Sequence, residues 1–101
     1  MTEVIVAKAE EISAGTMKSF KVGDKEVLIV NCSGKFYAIG NRCTHAGGDL
    51  SKGKLEGNII TCPRHGAKFD VTTGNCVAGP ARQNETTYPV IVEATNIKVS
   101  I

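Results

Sequence analysis

The chain has 101 residues, 42% hydrophobic and 22% charged, so one small core is expected to carry its function, which excludes most multi-domain enzymes. Twelve Lys and Arg against ten Asp and Glu leave a formal charge of +2, too little for the overall field to select nucleic acid. Apolar runs such as Val27-Leu28-Ile29-Val30 are strand-sized, and the start of the chain has neither a basic n-region nor an apolar h-region. The expectation is a soluble, cytoplasmic protein with no membrane partner.

Taken in chain order, β-branched and aromatic runs predict strands over 3–8, 17–22, 26–32 and 35–39. Gly23-Asp24 and Ser33-Gly34 supply the turns of a meander. A short helical piece is expected at 10–13 and a turn at 50–54, with short strands at 58–61 and 68–71. Residues 87–93 and 97–101 form a closing hairpin around Ala94-Thr95-Asn96, and Pro89 places an edge or bulge in the first of its strands. The fold class is all-β. The segment from Gly40 to Pro80 stands apart: it holds eight of the eleven glycines, two of the three prolines and both histidines. It reads as a site-bearing insertion of about residues 40–80 in a single domain, 1–101, whose β base is built from 1–39 and 81–101.

Within that insertion stand Cys43-Thr44-His45 and, after sixteen intervening residues, Cys62-Pro63-Arg64-His65. Each pair lets two side chains of one loop reach one centre, and Gly47, Gly48 and Gly66 let the loops turn sharply behind the histidines. A lone Cys is ordinarily a small buried hydrophobe and a lone His a satisfied polar group. Here all the histidines fall beside half of the cysteines in matching loops, which points to a joint metal site. Thiolates with imidazoles suit zinc or an iron-sulfur cluster, not calcium or magnesium. Two arrangements remain open at this level: one tetrahedral zinc stapling a β interaction module, or a [2Fe-2S] centre with cysteines on one iron and histidines on the other. A disulfide scaffold is disfavoured by the expected reducing compartment.

Cys43-Thr44-His45-Ala46-Gly47-Gly48 and Cys62-Pro63-Arg64-His65-Gly66-Ala67-Lys68-Phe69-Asp70, followed by Thr73-Gly74 and Gly79-Pro80-Ala81, resemble the two cluster-binding loops and the proline loop of Rieske-type ferredoxins. The resemblance spans roughly 36–82 and, more loosely, the flanking meander. It implies an antiparallel β-sandwich base with a smaller cluster-binding subdomain and one [2Fe-2S] cluster per chain. Cys43 and Cys62 would ligate the buried iron, His45 and His65 the outer one, with Pro80 covering one side. It further implies a monomeric one-electron carrier, not an enzyme, between a reductase and an acceptor such as an oxygenase. The alternative within the same resemblance is a small subunit permanently bound to a reductase or oxygenase complex.

The chain departs from the respiratory branch of that family. The two cysteines that form a bracing disulfide there correspond to Gly48 and Arg64, and the serine and tyrosine that donate to the cluster sulfurs correspond to Ala67 and Phe69. Fewer donors stabilise the added negative charge of the reduced state less, so the potential is expected at about −150 to 0 mV, low in the Rieske range. Oxygenase catalytic subunits need further histidines for a mononuclear iron, and both histidines here are already committed.

Residues 42–68 carry Arg42, Lys52, Lys54, Arg64 and Lys68 against Asp49 and Glu56, a local balance of +3 in a chain whose remainder sums to −1. This basic end either attracts an acidic partner or merely solvates the loops. Cys32, at a strand end, and Cys76, in a turn, are expected as buried or plain thiols; a disulfide between them needs Cα atoms within about 7 Å.

Overall fold

The computed structural model describes residues 3–42, 49–63, 66–78 and 84–100. Its strands are β1 (Glu3–Lys8), β2 (Met17–Val22), β3 (Lys25–Cys32), β4 (Lys35–Gly40), β5 (Lys54–Glu56), β6 (Ile59–Thr61), β7 (Lys68–Asp70), β8 (Cys76–Ala78), β9 (Thr87–Tyr88), β10 (Val90–Glu93) and β11 (Asn96–Ser100). Among the described residues all strand pairings are antiparallel, in three sheets ordered β1-β11-β10, β2-β3-β4-β9 and β5-β6-β7-β8.

Strand β3 organises the molecule. Val27, Leu28, Ile29 and Val30 are all fully buried, which a half-exposed strand with alternating faces does not allow. Their side chains divide by parity. Val27 and Ile29 pack with Ala7, Ile12, Val22, Ala38, Ile97 and Val99, whereas Leu28 and Val30 pack with Ile39, Leu50, Ile60, Cys62, Ala67, Phe69 and Val71. One strand therefore separates two cores. The first lies between the terminal sheet and the meander sheet, the second between the meander sheet and the small sheet β5–β8.

The meander follows the expected turns. Ser33 and Gly34 both have positive φ (54° and 95°), matching a two-residue hairpin loop between the Cys32↔Lys35 pair. Buried Asn31 fixes this corner by donating from Nδ2 to Ile12 O (2.8 Å) and accepting from Gly34 N at Oδ1 (2.8 Å).

Several expectations are corrected. The expected strand over 87–93 is two strands parted at Pro89: β9 pairs with β4, while β10 pairs with β11 in a different sheet. A residue without an N–H interrupts the ladder where the chain changes sheets. The expected turn at 50–54 is a 3-10 helix at Leu50–Lys52 followed by the start of β5, and the helical piece near 10–13 is a 3-10 helix at Ala9–Glu11. Cys76 opens strand β8 instead of lying in a turn. Both β5 and β8 are three residues long, too short to show a hydrophobic period.

Candidate metal centre

The small sheet gathers the loops. Lys54 pairs with Thr61, Thr61 with Lys68, and Lys68 with Ala78, so these four residues form one row across its end. Segment 62–67 leaves and re-enters the sheet at this row, and segment 79–83 follows Ala78. After the first Cys-His segment, the chain from Asp49 passes through the 3-10 helix Leu50–Lys52 and Gly53 to reach this row at Lys54. Stems that flank both Cys-His pairs, at Lys54 and at Thr61–Lys68, thus lie at one end of a sheet, as does Ala78.

The first loop is closed by a polar clamp at its stem. Arg42 and Asp49 form a β-bridge, and Leu50 N donates to Asn41 O (2.8 Å). Buried Asn41 donates from Nδ2 to Asp49 Oδ1 (2.8 Å) and accepts from Ser51 N at Oδ1 (3.0 Å), while its own N–H donates to Glu26 O (3.0 Å). Asp49 Oδ1 also accepts from Ser51 Oγ (2.5 Å) and Ser51 N (3.0 Å). These bonds from Ser51, and then the one from Asn41, stabilise the carboxylate against its partial desolvation and hold its pKa below the usual aspartate value. Outside the clamp, Arg42 is tied to Glu26 through its Nε and through its second guanidinium nitrogen (3.0 Å).

The second loop is a tight turn at the end of the β6–β7 hairpin. Cys62 N donates to Ala67 O (2.7 Å), Gly66 N donates back to Cys62 O (3.2 Å), and Gly66 holds a φ of 78°. Cys62 is 2% exposed and belongs to the same core as Leu50, Ala67 and Phe69. The stems of both Cys-His loops therefore rest on one apolar floor. Gly53 makes that contact possible: a Cβ there would run into the carbonyl oxygen of Thr61, the residue before Cys62.

The stem of segment 79–83 is pinned by Cys76 N donating to Asn84 Oδ1 (2.9 Å) and Glu85 N donating to Gly74 O (2.7 Å). At Gly74, φ is 79° and a Cβ would meet the carbonyl of Glu85 and the methyl of Thr87, so glycine is required twice over. Glu85 is 7% exposed, with a carboxylate oxygen 3.0 Å from where a Cβ on Gly40 would stand.

Of the expected ligands, Cys62 lies buried on the floor it shares with Leu50; Cys43, His45 and His65 lie outside the described residues, as does Pro80. Ala67 and Phe69, the positions lacking hydroxyls, are fully buried, and Phe69 sits on the inner face of β7 beside Ile60. Cys32 and Cys76 are thiols packed against the floor from its edge. Burial, and then the charge of Asp70, pushes the Cys32 thiol pKa up. Sequence reasoning missed Asn41, Asp49 and Glu85. The first two had a usable signal, an Asn and an Asp bracketing a Cys-x-His loop, whereas Glu85 had none.

The described stems of both Cys-His segments stand on a common apolar floor in an all-β protein, an arrangement that suits a metal-binding protein. Comparison with known proteins agrees. The model of the Rieske [2Fe-2S] domain matches residues 2–89. The ferredoxin component of a naphthalene 1,2-dioxygenase system from Pseudomonas putida is 41% identical over 90% of this chain and 86% of its own length. The solved ferredoxin of carbazole 1,9a-dioxygenase from Nocardioides aromaticivorans IC177 superposes with a TM-score of 0.94 at 35% identity, covering 99% of this chain and 98% of the other. A second solved ferredoxin, in a complex of reduced oxygenase and oxidized ferredoxin in carbazole 1,9a-dioxygenase, gives a TM-score of 0.92 at 30% identity, covering 97% and 92%.

The chain belongs to the Rieske [2Fe-2S] domain family. It is an electron-transfer protein with a [2Fe-2S] cluster as its cofactor. Among the described residues, no helix is long and apolar enough to cross a membrane.

Proposed function

We propose that Cys43, His45, Cys62 and His65 hold the cluster, with the two cysteines on the inner iron and the two histidines on the outer iron, and that the chain passes single electrons from a reductase to an oxygenase. The observation that supports this reading is the buried Cys62, on a floor it shares with Leu50 of the first loop's stem. The donor set fits the group: two soft thiolates and two imidazoles match the mixed ligation of Rieske centres. The ferredoxin relatives of dioxygenase systems, one of them solved together with its oxygenase, support the choice of acceptor.

The cluster supplies a one-electron couple when bound. The residues of the chain do the rest. Leu50, Ala67, Phe69 and Cys62 exclude water from the inner side, and the Asn41–Asp49 clamp fixes the span of the first loop. His45 and His65 would hold the outer iron, and their imidazoles would give the electron its route towards the partner. With Ala67 and Phe69 lacking hydroxyls, the potential sits low in the Rieske range, about −150 to 0 mV. Both histidines are engaged as ligands, so substrate oxidation takes place on the partner and not on this chain, which works in the reducing cytoplasm as one domain, with residues 40–80 as its cluster-binding part.

The test is a ligand series on anaerobically reconstituted protein. Cys43→Ser and Cys62→Ser abolish the visible absorption, and His45→Cys and His65→Cys either abolish it or lower the midpoint potential. An unchanged spectrum and potential in any of the four variants contradicts the ligand assignment.

A further inference from the structure

The outer face of the small sheet is charged in an ordered way. Along β5, β6 and β7 the inner residues Leu55, Ile60 and Phe69 face the core, so their neighbours face outward. Lys54, Thr61 and Lys68 form the outer row at the loop end, next to Cys62; Glu56, Ile59 and Asp70 form the outer row at the opposite end. Lys54 and Lys68 are exposed, one strand apart from each other on either side of β6, at about 9.5 Å by strand spacing. Among the described residues neither one forms an ion pair, whereas Arg42, also at this end, is matched by Glu26. At the far row Asp70 is occupied by Asn58 Nδ2 (3.2 Å), Thr72 N (2.9 Å) and Thr72 Oγ1 (2.6 Å).

Beside the basic row lies an apolar side chain. The β7–β8 register shifts between Lys68 and Phe69, which leaves Val77 as the extra residue of a bulge, and it is 52% exposed. An exposed aliphatic group on β8, one strand from Lys68 and three from Lys54, gives this face the anatomy of a small interface: an apolar anchor with a charged rim. The field of this face runs from positive at the loop end to negative at Glu56, so it orients an approaching charge distribution as well as attracting it.

We propose that this face, with Val77, Lys54 and Lys68 at its loop end, is the docking surface for a redox partner that presents acidic residues. The proposal rests on the electron-carrier reading above and adds the face and the sign of the partner.

The experiment uses the dithionite-reduced holoprotein, freed of excess reductant, and two oxidised protein acceptors of opposite surface charge, an acidic plastocyanin and the basic mitochondrial cytochrome c. One electron passes to Cu(II) or Fe(III), giving Cu(I) or Fe(II), with no bond made or broken. Stopped-flow traces at low salt should show the acidic acceptor reduced at least tenfold faster than the basic one, the advantage fading as ionic strength rises. Lys54→Glu/Lys68→Glu should reverse the preference. Lys18→Glu/Lys35→Glu, the same change of net charge on the other end of the meander, should keep it. Equal effects of the two double variants would overturn the docking surface while leaving the electron carrier intact. A wild type that shows no reducible cluster would overturn both. Val77→Ser, with the visible spectrum confirming an intact cluster, should slow only the acidic acceptor; equal slowing of both would remove Val77 from the surface.

Discussion

The two cores that meet at β3 are held by different means. The core beneath the terminal and meander sheets is made by strands of four to eight residues apart from the two-residue β9, laddered along their length. The core beneath the cluster loops is roofed by four strands of three residues each, and its order depends on single contacts: the Asn41–Asp49 clamp, Gly53 against Thr61, Gly74 against Glu85. Short strands bury little and bond little, so a sheet of this kind needs its loops fixed from outside. The difference teaches that the same residue type does different work on the two faces of β3, and substitutions on opposite faces separate folding from cluster retention.

The sharpest division is Leu28→Ala against Ile29→Ala. Each removes a fully buried side chain and should cost about 2–5 kcal/mol in denaturant unfolding. Only Leu28 shares a core with Cys62, so Leu28→Ala should also hasten cluster loss, followed by bleaching of the visible bands, while folded Ile29→Ala keeps its colour. Equal bleaching would erase the distinction between the cores.

Asn41→Ala and Asn31→Ala come next. Both break buried hydrogen bonds, at about 1–3 kcal/mol each. Asn41→Ala should release the cluster faster and alter its EPR line shape, and the reciprocal swap Asn41→Asp/Asp49→Asn should restore both; Asn31→Ala should lower stability alone.

A smaller effect is expected in acid. The Asp49 pKa is depressed in the folded state, so its contribution is present above the unfolded carboxylate value of about 3.9 and is lost as pH falls through the lower folded value. The loss of stability between pH 4 and 2 should therefore be shallower in Asp49→Asn than in the wild type; parallel curves would show that the clamp is not ionic. The smallest effect belongs to Cys32→Ser, at the edge of the cluster-side floor. Among the described residues its thiol reaches only Gly57 O, at 3.6 Å, and the variant should keep the visible spectrum unchanged.

Much of the first core was legible because alternation and turn chemistry act over long strands: β1, β2, β3 and β4 fall within a residue of their expected bounds. Pro89 marked the right place, yet only the fold shows that the chain changes sheets there, since partner choice is a long-range property. The second core was legible through its chemistry instead. The Cys-His spacing pointed to the metal, but β5 and β8 were invisible, being too short to show a period, and Cys76 was assigned to a turn for the same reason. The roles of Gly53 and Gly74 depend on backbones that are distant in sequence, Thr61 and Glu85, and no local pattern announces such approaches.

The most direct test of mixed cysteine and histidine ligation is the low-temperature EPR spectrum of the anaerobically purified protein before and after dithionite, with iron, sulfide and zinc measured on the same sample. A red-brown, EPR-silent protein that on reduction gives a rhombic signal with an average g below that of all-cysteine [2Fe-2S] proteins is the predicted result. A colourless protein with stoichiometric zinc, unchanged by anaerobic reconstitution with iron and sulfide, would contradict it.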